Sequence, residues 1–336
     1  MLISKNTPQL NILGFGNALM DIMIPLPDDT LLQRFDLPRG SMTLVDQSLS
    51  SAIYQATANF PKEITAGGSA ANTIHTFASL GGKCAFAGKI GKDELGQRFG
   101  EELHQYGIDT FLPHGKENTG RVMALVSPDS ERTMATYLGA AIEMEGHEVS
   151  VSMMKGYNLV YVEGYLVQNH ELIESIFKTA KACGMQTAID LASYNVVEQN
   201  LEFLQRIVRE YVDILFANEE EAFAFTGLKP EQALEQMASA CSLAVVKLGK
   251  HGSIAQRGAE KVMIEPVSTQ AVDTTGAGDS YAAGFLFGLS KGATLGQCGA
   301  IASLVSSKAV ESMGARIPSH DWPALLREVD SCLIRE

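Results

Sequence analysis

The sequence predicts an α/β fold: a central, mainly parallel sheet flanked by helices, with a small β-sheet lid. Three observations carry that reading. Short β-branched or apolar runs alternate with longer segments of helical period, the pattern of parallel strands joined by helical crossovers. Two stretches break this rhythm with alternating apolar residues and turn formers. Finally, 336 residues with 46% hydrophobic content are enough to bury a large core.

The first buried strand is read at 10–14 (LNILG). Further strands follow at 84–90 (CAFAGKI), 159–163 (LVYVE), 187–191 (TAIDL), 214–217 (ILFA) and 243–247 (LAVVK). Between them lie helix candidates at 70–80, 93–106, 169–183, 198–210, 219–226 and 230–241. In such a sheet, ligands sit beyond the carboxyl ends of the strands. The two exceptional stretches are 18–46 and 118–138, the second containing SPDSER, which reads as a hairpin turn. They are read as a lid over the main sheet; the alternative makes them edge strands of it. No internal repeat or low-complexity linker is present, so 1–336 reads as one domain.

Composition narrows the function. Net charge is −13, which repels phosphodiester backbones and argues against a nucleic-acid partner. Small anions remain acceptable, because they need only a local positive site such as a helix N-terminus. The five cysteines, Cys84, Cys183, Cys241, Cys298 and Cys332, are scattered, with no C-x-x-C pair. That argues against disulfides and zinc, and for a reducing compartment. The start, MLISKNTPQLNILGFGN, carries no signal-peptide pattern, and no run reaches the ~18 apolar residues of a membrane span. The expectation is a cytoplasmic protein with no membrane partner. None of the seven histidines shows metal-ligand spacing.

The most informative segment is Asp273-Thr274-Thr275-Gly276-Ala277-Gly278-Asp279-Ser280, followed by an apolar helix ending near Gly292. A glycine-rich turn feeding a helix N-terminus gathers free N–H groups and the positive end of the helix dipole into an anion site. Asp279 at its mouth has two readings. It is an N-cap, or it is a carboxylate beside a bound phosphoryl group, able to take a proton from an attacking hydroxyl. The loop is not a Walker A sequence, because no G-x-x-x-x-G-K-[ST] occurs. Neither H-R-D nor D-F-G is present, which excludes a protein kinase. GFGNAL lacks the third glycine of a dinucleotide fingerprint.

These residues resemble the ribokinase-like (PfkB) carbohydrate kinases. DTTGAGDSYAAGF is similar to that family's C-terminal signature, and GGSAANTIHTFASLGGKCAFAGKIGKDELG (67–96) to its N-terminal one. Asn218-Glu219-Glu220-Glu221 fits N-x-x-E, and VVKLGKHG fits V-T-x-G-x-x-G. The resemblance spans about residues 11–320. It implies ATP and magnesium as cofactors and a sheet lid. Asp279 is then the base, with the N–H groups of Gly276, Ala277 and Gly278 as the anion hole. Asn218 and Glu221 would organise magnesium and the phosphates largely through water; read alone, they are a helix cap with first-turn acids. Thr274, Gly249 and Gly252 would border the nucleotide. Lys247 stands where the family usually has Thr or Ser, and either contacts a phosphate or points to solvent.

For the acceptor, the resemblance implies Asn17, Asp21, Gly67, Gly68 and Asn72, with Asp21 taking hydrogen bonds from two neighbouring sugar hydroxyls. Read alone, Asp21 is equally a loop acid. GNALMDI, GSMTLVD and ERTMATYLGAA are similar to the adenosine kinase branch. There the arginine, here Arg132, reaches the phosphates on lid closure; the alternative is a hairpin charge in solvent. The expected reaction is therefore phosphorylation of a nucleoside 5′-hydroxyl, adenosine first. A free-sugar kinase for ribose or fructose, or an inosine/guanosine kinase, is the runner-up, and a non-enzymatic metabolite sensor the third reading. Phe15, Met42, Tyr137 and Tyr165 are candidates to stack on a base, or are core. Asp273, Thr275 and the segment 310–314 are candidates for a monovalent cation such as potassium, mostly through backbone oxygens. The expected assembly is a monomer, or a homodimer through the lid.

Overall fold

The computed structural model describes residues 10–334. The leader reading for the first nine residues lies outside the described residues. In chain order the strands are β1 (Ile12–Phe15), β2 (Leu19–Pro25), β3 (Met42–Leu44), β4 (Glu63–Gly67), β5 (Cys84–Ala87), β6 (Asp109–Phe111), β7 (Thr119–Val126), β8 (Arg132–Gly139), β9 (Leu159–Glu163), β10 (Gln186–Asp190), β11 (Ile214–Asn218), β12 (Leu243–Lys247), β13 (Ser253–Arg257) and β14 (Glu260–Ile264). One sheet has the order β14-β13-β12-β11-β10-β9-β1-β5-β6. From β12 to β6 all pairings are parallel, whereas β13 and β14 add antiparallel at one edge.

Burial explains the continuous apolar runs. Every residue of β1, β5 and β9 is buried, because both sheet faces are covered. Successive side chains go to opposite sides. Ile12 and Tyr161 join a cluster with Phe216 and Phe285, while Leu13, Val160 and Val162 join one with Ile189 and Leu215. The helix Ala277–Ser290 runs through the first cluster, with Ser280 to Leu289 all buried. Its sequence therefore lacks an amphipathic stripe.

The second sheet has the order β3-β8-β7-β2-β4. None of its strands pairs with the main sheet, so the edge-strand reading is overturned. The SPDSER turn joins β7 to β8, closed by Ser127 N–H on the Glu131 carbonyl. Here strict alternation survives, because the two faces differ. Ile22, Ile24, Met123, Leu125 and Ala135 pack with Leu32, Leu37 and Ile53 in a separate core. The opposite face carries Leu19, Asp21, Val122, Met134, Thr136 and Leu138, which line a large cleft.

Some boundaries differ from the sequence reading. The strand β4 lies between the two expected excursions, which were drawn too narrowly to include it. The helix read at 198–210 is two helices, Tyr194–Gln199 and Leu201–Tyr211. Ser193 caps the first, and Asn200 (φ −127°) ends it by donating its side-chain amide to the Val196 carbonyl. β6 and β14 are edge strands and β13 lies next to the edge; their mixed polarity hid all three.

The core assignment predicts a contrast. Phe285 is fully buried, edge-on to Phe216 at 5.8 Å, whereas Phe223 is 59% exposed. Phe285→Ala should cost about 3–5 kcal/mol in urea unfolding, and Phe223→Ala should stay within ~0.5 kcal/mol.

Candidate active site

A cleft of about 2050 Å³ opens at the carboxyl ends of the central strands, roofed by the second sheet. Its floor is the glycine turn before Ala277–Ser290. Asp273 shapes that turn: one carboxylate oxygen accepts from Thr275 N–H (3.1 Å) and Oγ1 (2.8 Å). The other accepts from Gly314 N–H (2.7 Å) and pairs with Arg132 (2.6 Å). Gly276 follows at φ +73°, where an added Cβ would lie 2.7 Å from that of Ala315. Only glycine meets both demands.

Of the three N–H groups read as an anion hole, Ala277's turns to the Thr274 carbonyl (3.2 Å). Those of Gly276, Gly278 and Asp279 keep no partner among the described residues. Two of the three N–H groups in the sequence reading are thus free, and that of Asp279 is free beside them. Thr274 itself is exposed and does not line the cleft.

Asp279 is not the N-cap, a position held by Gly276; it sits in the first turn. One of its oxygens accepts from Ser69 Oγ (2.6 Å), the other from Asn72 Nδ2 (3.4 Å). Burial pushes its pKa up to about 6, opposed by the Ser69 hydrogen bond. The Asp190 charge raises it further and the Lys247 charge lowers it. Ser69 was not singled out from the sequence. Its spacing to Asn72, three residues along one helix, is the signal that places both on the same face.

Asp21, on β2, is raised to about 7 by burial, with Arg316 lowering and Asp279 raising it. Its carboxylate has no hydrogen-bond partner among the described residues. A side chain on Gly67 would run into it, so this glycine makes room for Asp21 and lies behind the cleft lining. Gly68 and Asn72 do line the cleft, and Asn72 Oδ1 is buried without a partner. Asn17 donates both its N–H (2.9 Å) and its amide (2.7 Å) to Glu163 Oε1, while Glu163 Oε2 accepts from Ala70 N–H (2.8 Å). Glu163 is a residue that the sequence reading missed; it is fully buried, and burial raises its pKa to about 7. Its signal was an acid closing an otherwise apolar buried strand.

Arg132 is not in solvent. Besides Asp273 it donates to Thr275 Oγ1 (2.8 Å), bridging β8 to the glycine turn. It lines a cavity of about 100 Å³ that adjoins the main cleft, the two sharing Asp21, Asn72 and Thr275. The geometry therefore places its guanidinium on the turn's own carboxylate. Four donors occupy the Asp273 carboxylate, so a monovalent cation here would rest on backbone oxygens.

On the nucleotide side, Asn218 and Glu221 cap each other. Asn218 Nδ2 donates to Glu221 Oε1 (2.7 Å), and Glu221 N–H to Asn218 Oδ1 (2.8 Å). Both line the cleft, and burial raises Glu221 to about 7, against the lowering by Lys247. Among the described residues, no group of three or more His, Cys, Asp or Glu forms a metal cage. Glu221, with Glu219 and Glu220 beside it in the lining, fits magnesium held mostly through water and phosphate. Lys247 points inward, with Nζ 2.6 Å from Asp190. Gly249 and Gly252 border the same cleft. Of the stacking candidates, Phe15 is core, and Tyr137 is buried on the far face of the second sheet with its hydroxyl on Glu117. Met42 and Tyr165 line the cleft.

Comparison with known proteins agrees with this geometry. Residues 53–322 match the model of the pfkB family carbohydrate kinases. The crystal structure of adenosine kinase from Sinorhizobium meliloti is 35% identical, covering 95% of this chain and 99% of that one, with a TM-score of 0.84. A probable sugar kinase from Rhizobium etli is 30% identical, covering 97% and 99%, with a TM-score of 0.85. Adenosine kinase from Saccharomyces cerevisiae is 24% identical over 90% of this chain and 96% of its own length. Two signature segments, a matching family model and a relative 35% identical over nearly the whole chain lead to one conclusion: the chain belongs to the pfkB family of carbohydrate kinases.

Proposed function

We propose that this phosphotransferase moves the terminal phosphoryl group of ATP to the 5′-hydroxyl of a nucleoside, adenosine first. One observation carries the choice of acceptor. The unpartnered carboxylate of Asp21 lies on the same face of the second sheet as Leu19, Val122, Met134 and Leu138. A carboxylate beside an apolar wall suits a sugar diol joined to a flat, weakly polar base. A free sugar would need polar groups around its anomeric hydroxyl instead. The kinship with adenosine kinase from Sinorhizobium meliloti supports the same reading.

The chemistry follows from the residues in place. Asp279, ionised at neutral pH, accepts the proton as the acceptor hydroxyl attacks. A carboxylate is base enough, because a loose phosphoryl-transfer transition state needs little early deprotonation. The partnerless N–H groups of Gly276, Gly278 and Asp279, at a helix N-terminus, stabilise the charge on the group in transit. When bound with ATP, magnesium neutralises phosphate charge, and Asn218 and Glu221 would hold its waters. The second sheet acts as a lid that excludes water from the reaction. A free-sugar acceptor is the second reading, favoured by the likeness to the probable sugar kinase from Rhizobium etli.

Four outcomes test this. Asp279→Asn should lower kcat by about 10²–10⁴-fold. The variant should unfold no earlier than the parent at pH 8, because a carboxylate raised by burial costs stability once ionised. The kcat/KM profile should be flat above about pH 8 and fall as pH drops through about 7 and then 6, since both Asp21 and Asp279 must be ionised. A flat profile down to pH 5 would contradict both roles. In a turnover panel of adenosine, inosine, guanosine, ribose and fructose, adenosine should give the highest kcat/KM. A ribose or fructose maximum would remove the nucleoside reading and leave the kinase.

A further inference from the structure

The kinase reading explains the glycine turn but not a buried ion pair beside it. Lys247 ends β12 and Asp190 ends β10, with β11 between them. The lysine side chain crosses the top of β11 to bring Nζ within 2.6 Å of Asp190 Oδ2. The two side chains are only 13% and 6% exposed. Such a pair is a poor stabiliser, because desolvating two charges offsets most of their attraction. Something other than stability accounts for a charge placed there.

Position supplies the answer. Lys247 Nζ lies 3.2 Å from where a Cβ on Gly278 would be, which puts the ammonium against the glycine turn. An ammonium has three donors. One is on Asp190, and the others have no partner among the described residues. The groups facing it are carboxylates: Asp190, Glu221 and Asp279. Burial alone would pull its pKa down, but Asp190 and Glu221 hold it above the ordinary lysine value, so it stays charged. A polyphosphate entering this acidic cleft therefore meets one fixed positive charge on this wall, level with the anion hole.

We propose that Lys247 is a further catalytic residue, and that Asp190 is the positioning residue that aims its ammonium at the phosphoryl group in transit. This rests on the kinase reading. In the step, the bond from the acceptor oxygen to phosphorus forms as the bond to the bridging oxygen of ATP breaks. The acceptor's proton goes to Asp279, and ADP leaves with the bonding pair. Lys247 keeps its proton throughout and contributes charge and hydrogen bonds only.

The test uses the full chain with ATP and its best acceptor. Lys247→Met should lower kcat about 10²-fold, the scale of one lost transition-state donor, with acceptor KM changed less than threefold. The double variant D190N/K247M removes both charges and so relieves the stranded Asp190. It should unfold later than K247M yet remain as slow. A purely structural pair predicts the opposite, recovery of turnover along with stability, and that result would overturn the proposal. So would a K247M that raises only the KM for ATP at unchanged kcat. If K247M fails to fold, the charge-free double variant decides alone. A parent chain inactive on every acceptor would strike the kinase reading itself rather than this lysine.

Discussion

One hydrogen bond organises the site: Ser69 Oγ to Asp279 Oδ1, at 2.6 Å. It joins the first turns of two helices, Ser69–Ser79 and Ala277–Ser290, which lie 210 residues apart in sequence at this contact. Their N-termini meet at one point, so two positive dipole ends converge on it. That convergence makes the rest affordable. Four carboxylates, buried Glu163 and Glu221 and half-buried Asp21 and Asp279, crowd in and around the cleft, each raised by desolvation. Each is opposed by its own partners: Ser69 and Lys247 for Asp279, Lys247 for Glu221, the Ala70 and Asn17 N–H groups for Glu163, and Arg316 for Asp21.

The crowding has a thermodynamic consequence. A carboxyl group with a folded pKa near 6 or 7 and a lower unfolded one stabilises the fold below about pH 4. That contribution is lost as pH rises through the folded value. At working pH the site is thus maintained against its own electrostatics by the cores around it. The second sheet shows the same division of labour. One face, with Ile22, Met123 and Leu125, is ordinary core, and the other offers its residues to the cleft. Arg132 then fastens this sheet to the glycine turn through Asp273, tying the roof to the floor.

Much of this was legible in the sequence, for physical reasons. Buried parallel strands leave apolar runs, and the ends of β9 and β12 were read to the residue. A glycine turn before an apolar helix announces an anion site, and Asp279 stands in it. What escaped was pairing at long range. Nothing local in LVYVE says that Glu163 will hold Asn17 and Ala70, or in TAIDL that Asp190 will hold Lys247. The direction of Arg132 was equally invisible, because its partner Asp273 is 141 residues away by number (273 − 132). Thr274 shows that proximity in a motif is not direction: Thr275 lines the cleft, while Thr274 is exposed beside it. The strand β4 was overlooked because five residues beside a glycine pair carry little period.

The central claim is that one carboxylate, fixed where two helix ends meet, faces both the acceptor hydroxyl and the phosphoryl donor. The most direct measurement is a crystal structure with adenosine and a non-hydrolysable ATP analogue bound together. The 5′-oxygen should lie within about 2.6–3.2 Å of an Asp279 oxygen, with the ribose hydroxyls on Asp21 and the terminal phosphate on the glycine turn. A complex in which the two ligands meet away from Asp279 would contradict the account.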